Sequence, residues 1–217
     1  HFFRADDTNI YVVKLQTNKL GPKVLVNEFL GAKLGQLMRL CFPDSSIIMI
    51  ADQRFSASGI SPGLQFASRY LDNTEYIGKH NLETAVNIAD LAGVILFDHM
   101  FHNADRTNNR KNLLLRHEDE GAKIYAIDNS HLFRSGRWTI NKLNDQVKNV
   151  RSYYQYSYGN LLKNLLSPQD FSPYLRSATE ISNDQVDSLV HSIPYEWLPD
   201  DSERRVLAEH IKIRLSM

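Results

Sequence analysis

The chain has 217 residues, 42% hydrophobic and 23% charged, with 25 Lys and Arg against 25 Asp and Glu. That length buries one sizeable core or two small lobes, and the zero net charge leaves no diffuse positive field to hold nucleic acid or anionic lipid. The longest apolar runs, at 94–97 and 47–50, fall far short of the roughly 20 residues that span a bilayer. A lone cysteine, Cys41, allows neither an internal disulfide nor a cysteine-based zinc site and fits a reducing compartment, so cytoplasm is the expectation. The sequence opens on His1, and no signal peptide is read in it.

In chain order, residues 8–15 alternate as a strand, with Ile10, Val12 and Lys14 on one side and Tyr11, Val13 and Leu15 on the other. The lysine stands where an apolar residue is due. After Gly21-Pro22, residues 24–40 have helical spacing with a Leu30, Leu34, Leu37 and Met38 stripe, and 47–51 reads as a short buried strand. The Ser/Gly/Pro-rich stretch 56–63 is a lobe boundary or loop. Beyond it the chain turns helical. Residues 82–100 read as one long helix, and 112–115 with 124–127 as a hairpin about the turn 117–121. Ser182 to Gln185 is a capping box that starts a helix bearing Val186, Leu189, Val190 and Ile193, and 202–215 is another amphipathic helix.

The densest polar constellation runs from Asp98 to Asn112 and continues at Asp128-Asn-Ser. Pairing 112–116 with 123–127 about Glu120 sets Asn112 opposite Asp128 at the open end of the hairpin, and Asp105 lies seven residues before Asn112. Three side-chain oxygens then converge. Mg²⁺ prefers oxygen ligands and takes one or two from protein, leaving its other positions to water and phosphate, so the cluster suits a Mg-nucleotide. The bland alternative is that these Asn and Asp residues only close turns.

Phosphoryl transfer also needs a cation on the phosphates. Lys14, among apolar neighbours, needs a counter-charge, because a buried lone ammonium is costly. Glu28 supplies one from a helix face that also carries Gly31, Ala32 and Gly35. Each glycine costs a helix about 1 kcal/mol relative to Ala, which points to close packing there. The rival reading has Lys14 reaching water from an edge strand and Glu28 solvated.

Asn103-Ala-Asp105-Arg-Thr, Asn112-Leu-Leu-Leu and Ile127-Asp128 together resemble the catalytic and metal-binding segments of HipA-like kinases, relatives of protein and phosphatidylinositol kinases. Tyr11-Val-Val-Lys14, Val26-Asn-Glu28 and the segment 63–70 resemble that family's lysine strand, following helix and inter-lobe segment. The resemblance covers about residues 8–130. It implies an α+β, bilobal, protein-kinase-like fold: a β-rich N-lobe at 1–55, a connector at 56–80 and a helical C-lobe at 81–217. It implies an ATP- and Mg²⁺-dependent kinase acting on a hydroxyl, on protein Ser or Thr or on itself. Asp105 would be the catalytic carboxylate, Asn112 and Asp128 the Mg²⁺ ligands, Lys14 the phosphate cation and Glu28 its orienting partner. Arg106 would stabilise the catalytic loop or the transferring phosphate.

Three departures stand out. Five residues after Asp105, where protein kinases place the metal-binding Asn, stands Arg110, so Asn108 and Asn109 compete with Asn112 as ligand. Asn129-Ser130 follows Asp128 instead of a glycine-containing turn. No glycine precedes Gly21, so a glycine-rich phosphate loop lies upstream of His1, another loop serves, or nucleotide binding is impaired. The last option keeps a noncatalytic pseudokinase scaffold as an alternative. A metallohydrolase centre on Asp98, His99, His102 and Asp105 lacks a strong ligand spacing. A nucleic-acid surface of Arg134, Arg137, Lys142, Lys148 and Arg151 with the tyrosines at 153–158 is disfavoured by the zero net charge. The expected partners are ATP and a protein substrate, with no membrane.

Overall fold

In the computed structural model, which describes residues 1–51, 60, 62–149, 162 and 164–217, the alternation about Lys14 builds a strand with two different faces. Strand β2 (Ile10–Lys14) pairs antiparallel with β1 (Phe2–Arg4) and with β4 (Gly63–Arg69), and β3 (Ser45–Ile50) closes the far edge, giving the order β1-β2-β4-β3. Val13 and Leu15 join Ile50, Ile60 and Ala67 in a small core on one side of this sheet. Val12 and Lys14, one residue out of phase, face a cleft on the other side.

Residues 63–69, expected inside the connector, are instead the strand between β2 and β3, so the first sheet runs to Arg69. Gln65 and Phe66 are buried, and Phe66 is paired on both sides, with Lys14 of β2 and Ile47 of β3. The Ser/Gly/Pro stretch falls almost wholly outside the described residues, as does the tyrosine cluster at 153–158.

Helix α1 (Lys23–Leu37) was expected to carry one apolar stripe. It is instead buried without a break from Val24 to Gly31, while Leu37 turns outward. A helix apolar on most sides is a central one. Its residues Leu25, Val26, Leu30 and Leu34 share a core with Phe97, Phe101, Trp138 and Trp197 of the later chain.

A second sheet, β5-β6-β7, comprises Thr74–Tyr76, Leu113–Glu118 and Gly121–Ala126. Leu113, Leu115, Ile124 and Ala126 pack on Leu91, Val94 and Ile95 of helix α2 (Asp90–Met100). The single helix expected at 82–100 is broken: a 3-10 turn covers Leu82–Thr84 and α2 begins at Asp90. The cause is competition from β7. Val86 N donates to Ala122 O at 2.9 Å, and Asn87 exchanges hydrogen bonds with both the N–H and the carbonyl of Ile124 at 2.7 and 3.1 Å.

After the short α3 (Ala104–Asn108) and the hairpin come α4 (Ile140–Gln146), α5 (Pro168–Thr179), α6 (Asn183–His191) and α7 (Asp201–Leu215). The Ser182 capping box forms as read, with Gln185 N donating to Ser182 Oγ at 3.2 Å and Ser182 N to Gln185 Oε1 at 2.8 Å. No helix among the described residues is long and apolar enough to cross a membrane.

Candidate active site

The cleft between the two sheets has a volume of about 480 Å³. Val12, Phe66, Leu71, Leu114 and Ile127 give it apolar walls, and Lys14, Glu28 and Asp128 line its polar end.

Lys14 Nζ lies 3.3 Å from Glu28 Oε1 and 3.0 Å from Asp128 Oδ2. Burial works against the ammonium, but the two carboxylates outweigh it and hold the Lys14 pKa above its ordinary value. Burial raises Glu28 to about 7, only partly offset by Lys14, with Asp128 adding to the rise. Burial would raise Asp128 too, yet the Lys14 charge and the Ser130 hydroxyl prevail and keep it well below the usual carboxylate range. Of the two carboxylates, Asp128 is therefore the one whose ionised form the surroundings favour.

The hairpin register differs from the expectation by one residue. Glu118 pairs with Gly121 and Leu113 with Ala126, and Ile127 N donates to Asn112 O at 2.9 Å, so Asn112 faces Ile127 and not Asp128. The turn holds only Asp119 and Glu120 and is closed by Gly121 at φ 123°, which moves the centre of pairing by half a step. Asp128, the next residue, leaves the strand with a left-handed φ of 63°. Asp tolerates this conformation better than most residues, and here it breaks the alternation that would otherwise govern the carboxylate's direction. Ser130 N and Oγ both donate to Asp128 Oδ1, the former at 3.1 Å, an Asx turn that fixes the carboxylate.

Helix α1 locks this turn in place. Asn129 N donates to Glu28 Oε2 at 3.1 Å, and Asn27 Nδ2 donates to the carbonyls of Ser130 and Leu132 at 2.8 and 2.9 Å. Trp138 Nε1 donates in turn to Asn27 Oδ1 at 2.9 Å. The approach is possible because residue 31 is glycine: a Cβ there would lie 2.5 Å from Asn129 Cβ. Gly35 is equally constrained, by the Phe42 ring.

Asn112 Nδ2 donates to Asp105 Oδ2 at 2.8 Å, whereas Asn109 donates to Asn112 Oδ1 at 3.4 Å and accepts from Lys111 N at 3.2 Å. His131 Nδ1 is 3.9 Å from Asp105 Oδ2 and 3.1 Å from Ser130 Oγ. Asp105 and Asp128 therefore belong to one polar chain that runs Asn112, Asp105, His131, Ser130, Asp128, Lys14, Glu28. Arg106 is fully buried: its guanidinium donates to Asp128 O at 3.3 Å and to Asn129 Oδ1, and stands 3.6 Å from Asp98 and 5.0 Å over the Phe42 ring.

All six residues singled out in the sequence meet in this region. Asn27, Ser130 and His131 were not singled out. The Asp-x-Ser spacing of an Asx turn was a readable signal for Ser130; Asn27, although inside the Val26-Asn-Glu28 segment, and His131 show their roles only through distant contacts, the former to residues 103 and 105 positions away and the latter to Asp105. Of the metallohydrolase candidates, Asp98 faces Arg106, while His99 Nδ1 and His102 Nε2 lie 2.8 and 3.3 Å from the carbonyls of Ile95 and Gln146. No three His, Cys, Asp or Glu side chains among the described residues form a metal-binding group.

A lysine and two carboxylates at the polar end of a cleft between the two sheets meet the charge requirements of phosphoryl transfer, and the α+β bilobal fold is that of a kinase. The sequence profile of the HipA-like kinases matches residues 2–216, and the chain belongs to that family, a phosphotransferase by kind. Among solved structures, the Helicobacter pylori proinflammatory kinase CtkA is similar at a TM-score of 0.62 and 11% identity, covering 98% of this chain and 85% of that one. A chain of the Shewanella oneidensis MR-1 HipA, HipB and operator DNA complex is similar at 0.51 and 11% identity; 96% of this chain is covered, which spans 57% of that chain. At those identities the likeness is one of fold. No curated protein sequence matches the chain.

Proposed function

We propose that this chain transfers the γ-phosphoryl group of ATP to a hydroxyl, that of a protein Ser or Thr or of the kinase itself. The observation that carries the reading is the Lys14–Glu28–Asp128 cluster at the polar end of an otherwise apolar cleft. The purine takes the apolar walls, and the phosphates extend toward Lys14. Asp128 and Asn112 Oδ1, which accepts a long 3.4 Å hydrogen bond from Asn109 and keeps a second lone pair, are hard oxygen donors, the set Mg²⁺ selects, and we assign them to it. When bound, the ion neutralises phosphate charge.

Asp105 accepts the acceptor hydroxyl's proton as its oxygen bonds to phosphorus and the bond to the ADP leaving oxygen breaks. Asn112 aims that carboxylate through its amide. Arg106, with no exposed surface, is a positioning residue that holds the Asp128 turn and does not touch phosphate. We place the N-lobe at 1–69 and the connector at 70–73, between β4 and β5, in place of 1–55 and 56–80.

We also place the protein in the cytoplasm, in keeping with Cys41, whose thiol burial pushes up to about 12. The substrate is a protein; nucleic acid is no part of the reading, because the net charge is zero. The test is incorporation of labelled γ-phosphate with and without Mg²⁺. Asp105→Ala should abolish incorporation while nucleotide binding persists, and Asp128→Ala should weaken Mg²⁺-dependent nucleotide binding. Unchanged turnover in both variants rejects the reading, and nucleotide binding without any transfer by the unaltered chain selects the pseudokinase scaffold.

A further inference from the structure

Four residues, one from each strand of the first sheet, stand in a single row over the cleft. Phe2 of β1 pairs with Val12 of β2, Val12 with Ser68 of β4, and Ser68 with Ser45 of β3. Directly opposed residues project to the same face, and all four line the cavity. Neighbouring strands lie about 4.8 Å apart, so the row runs roughly 14 Å from the edge at β1 to the far edge at β3. Its two halves differ. Phe2 and Val12 are large and apolar, whereas Ser68 and Ser45 each carry only a hydroxymethyl group.

The cavity continues past the serines. Ala32 lines it one turn along α1 from Glu28, on the same helix face, and Phe42 and Pro43 line it where the chain leads into β3. Phe42 lies against α1, since a Cβ on residue 35 would strike its ring. The same cavity takes in Tyr70 and Tyr76, both exposed at its mouth, so no side chain among the described residues divides the mouth from this rear chamber. Position 68 is where a divider would stand. It lies in mid-sheet between β2 and β3, and a long side chain there would drop between Val12 and the Phe42–Pro43 wall.

A purine under the apolar half of the row has its ribose on one ring and its 6-amino group at the opposite end. The hydrated sugar belongs on the side of Phe2, which is 69% exposed on the edge strand, and the 6-amino end then points along the row to Ser68. We propose that Ser68 sets the depth of the cleft, leaving behind the base a chamber that takes an aromatic substituent on the 6-amino group of an adenine nucleotide. Such a ring packs on Phe42, Pro43 and Ala32. The inference rests on the purine placement of the proposed function and not on phosphate transfer.

Calorimetric titration of the whole chain with Mg-ADP and with N6-benzyl-ADP tests it. The benzyl nucleotide should bind within threefold of ADP or tighter. Ser68→Met, an unbranched side chain long enough to fill the gap, should raise the ratio of the two dissociation constants, benzyl over plain, at least twentyfold, and Ser68→Ala should leave that ratio within threefold of the original. A ratio taken on one protein is not produced by loss of folding. Binding of N6-benzyl-ADP more than threefold weaker than ADP by the unaltered chain, or a ratio that Ser68→Met does not raise, overturns the proposal while the kinase reading stands. Binding of neither nucleotide overturns the purine placement and this inference with it. Tight binding of both without transfer of phosphate from ATP supports the chamber and rejects the kinase reading alone.

Discussion

Lys14 and Asp128, 114 residues apart in the chain, meet with Nζ 3.0 Å from Oδ2, and Glu28 Oε1 stands 3.3 Å from the same ammonium. Among the described residues, Lys14 is the cation that bridges these two carboxylates. Lys14→Met leaves Glu28, almost fully buried, without its counter-charge. Removing one partner of a buried pair costs about 3–5 kcal/mol, and since a quarter of the Lys14 side chain is exposed the expected loss is smaller, about 1–3 kcal/mol. Urea unfolding measures it. The rise in Tm given by Mg-ATP should also disappear in this variant, because stabilisation follows the ratio of ligand concentration to Kd.

Gly31→Ala tests the closeness of α1 to the Asp128 turn. Ala gains about 1 kcal/mol of helix propensity, but its methyl would sit 2.5 Å from Asn129 Cβ and Cγ, and forcing a close-packed contact apart costs about 1–3 kcal/mol. The expected outcome is a chain no more stable than the original, with kcat lowered tenfold or more as the turn moves away from Lys14. Steady-state kinetics beside thermal melts checks it; a Gly31→Ala chain that is both more stable and fully active refutes the packing argument.

Asn112→Ala removes the amide that holds Asp105 at 2.8 Å. Under the proposed assignment it also removes a metal ligand, so the Mg²⁺ concentration for half-maximal transfer should rise and kcat should fall, each about 10- to 100-fold. Asn109→Ala, which deletes the 3.4 Å contact to Asn112 and the cap on Lys111 N but no contact to Asp105, should change both far less. A Mg²⁺ titration of transfer rate separates the two asparagines.

Arg106→Ala strips a fully buried guanidinium from Asp98, which is itself without exposed surface. The expected destabilisation is about 3–5 kcal/mol. Arg106→Lys should recover little of it, because one ammonium cannot serve Asp98, Asn129 and the Asp128 carbonyl from the positions a planar fork reaches. Equilibrium unfolding of the two variants decides the point.

His102 and His210 set an acid limit on stability. Burial lowers both to about 4 from an ordinary 6.5, and His210 Nδ1 lies 3.0 Å from Leu143 O, edge-on to Phe133. A histidine whose folded pKa is depressed binds fewer protons folded than unfolded between those values. Its contribution is therefore present above pH 6.5 and lost as pH falls toward 4. Each histidine lowers stability by up to about 1.4 kcal/mol per pH unit across that window. His210→Gln should flatten the slope between pH 6 and 4.5, as denaturant midpoints against pH will show.

The alternation at Ile10, Val12 and Lys14, the small-residue face Glu28-Gly31-Ala32-Gly35 and the Asn112 and Asp128 ends of a hairpin were legible because each is a local pattern with a period or a spacing. The 82–100 helix failed where its residues 86 and 87 found hydrogen bonds on β7, a partner more than thirty residues away. Strand β4 was read as a connector, since the signal that it lies between β2 and β3 comes only from its neighbours.

Residue chemistry by itself thus determined which groups this protein commits to charge: a lysine that must be paired, acids that can hold a cation, and glycines that invite contact. The tertiary structure decided the aim of each. A two-residue turn shifted the hairpin by one step, and the left-handed Asp128 then redirected its carboxylate onto Lys14. Strand register and backbone handedness are set by the summed packing of distant elements, and no local spacing encodes that sum.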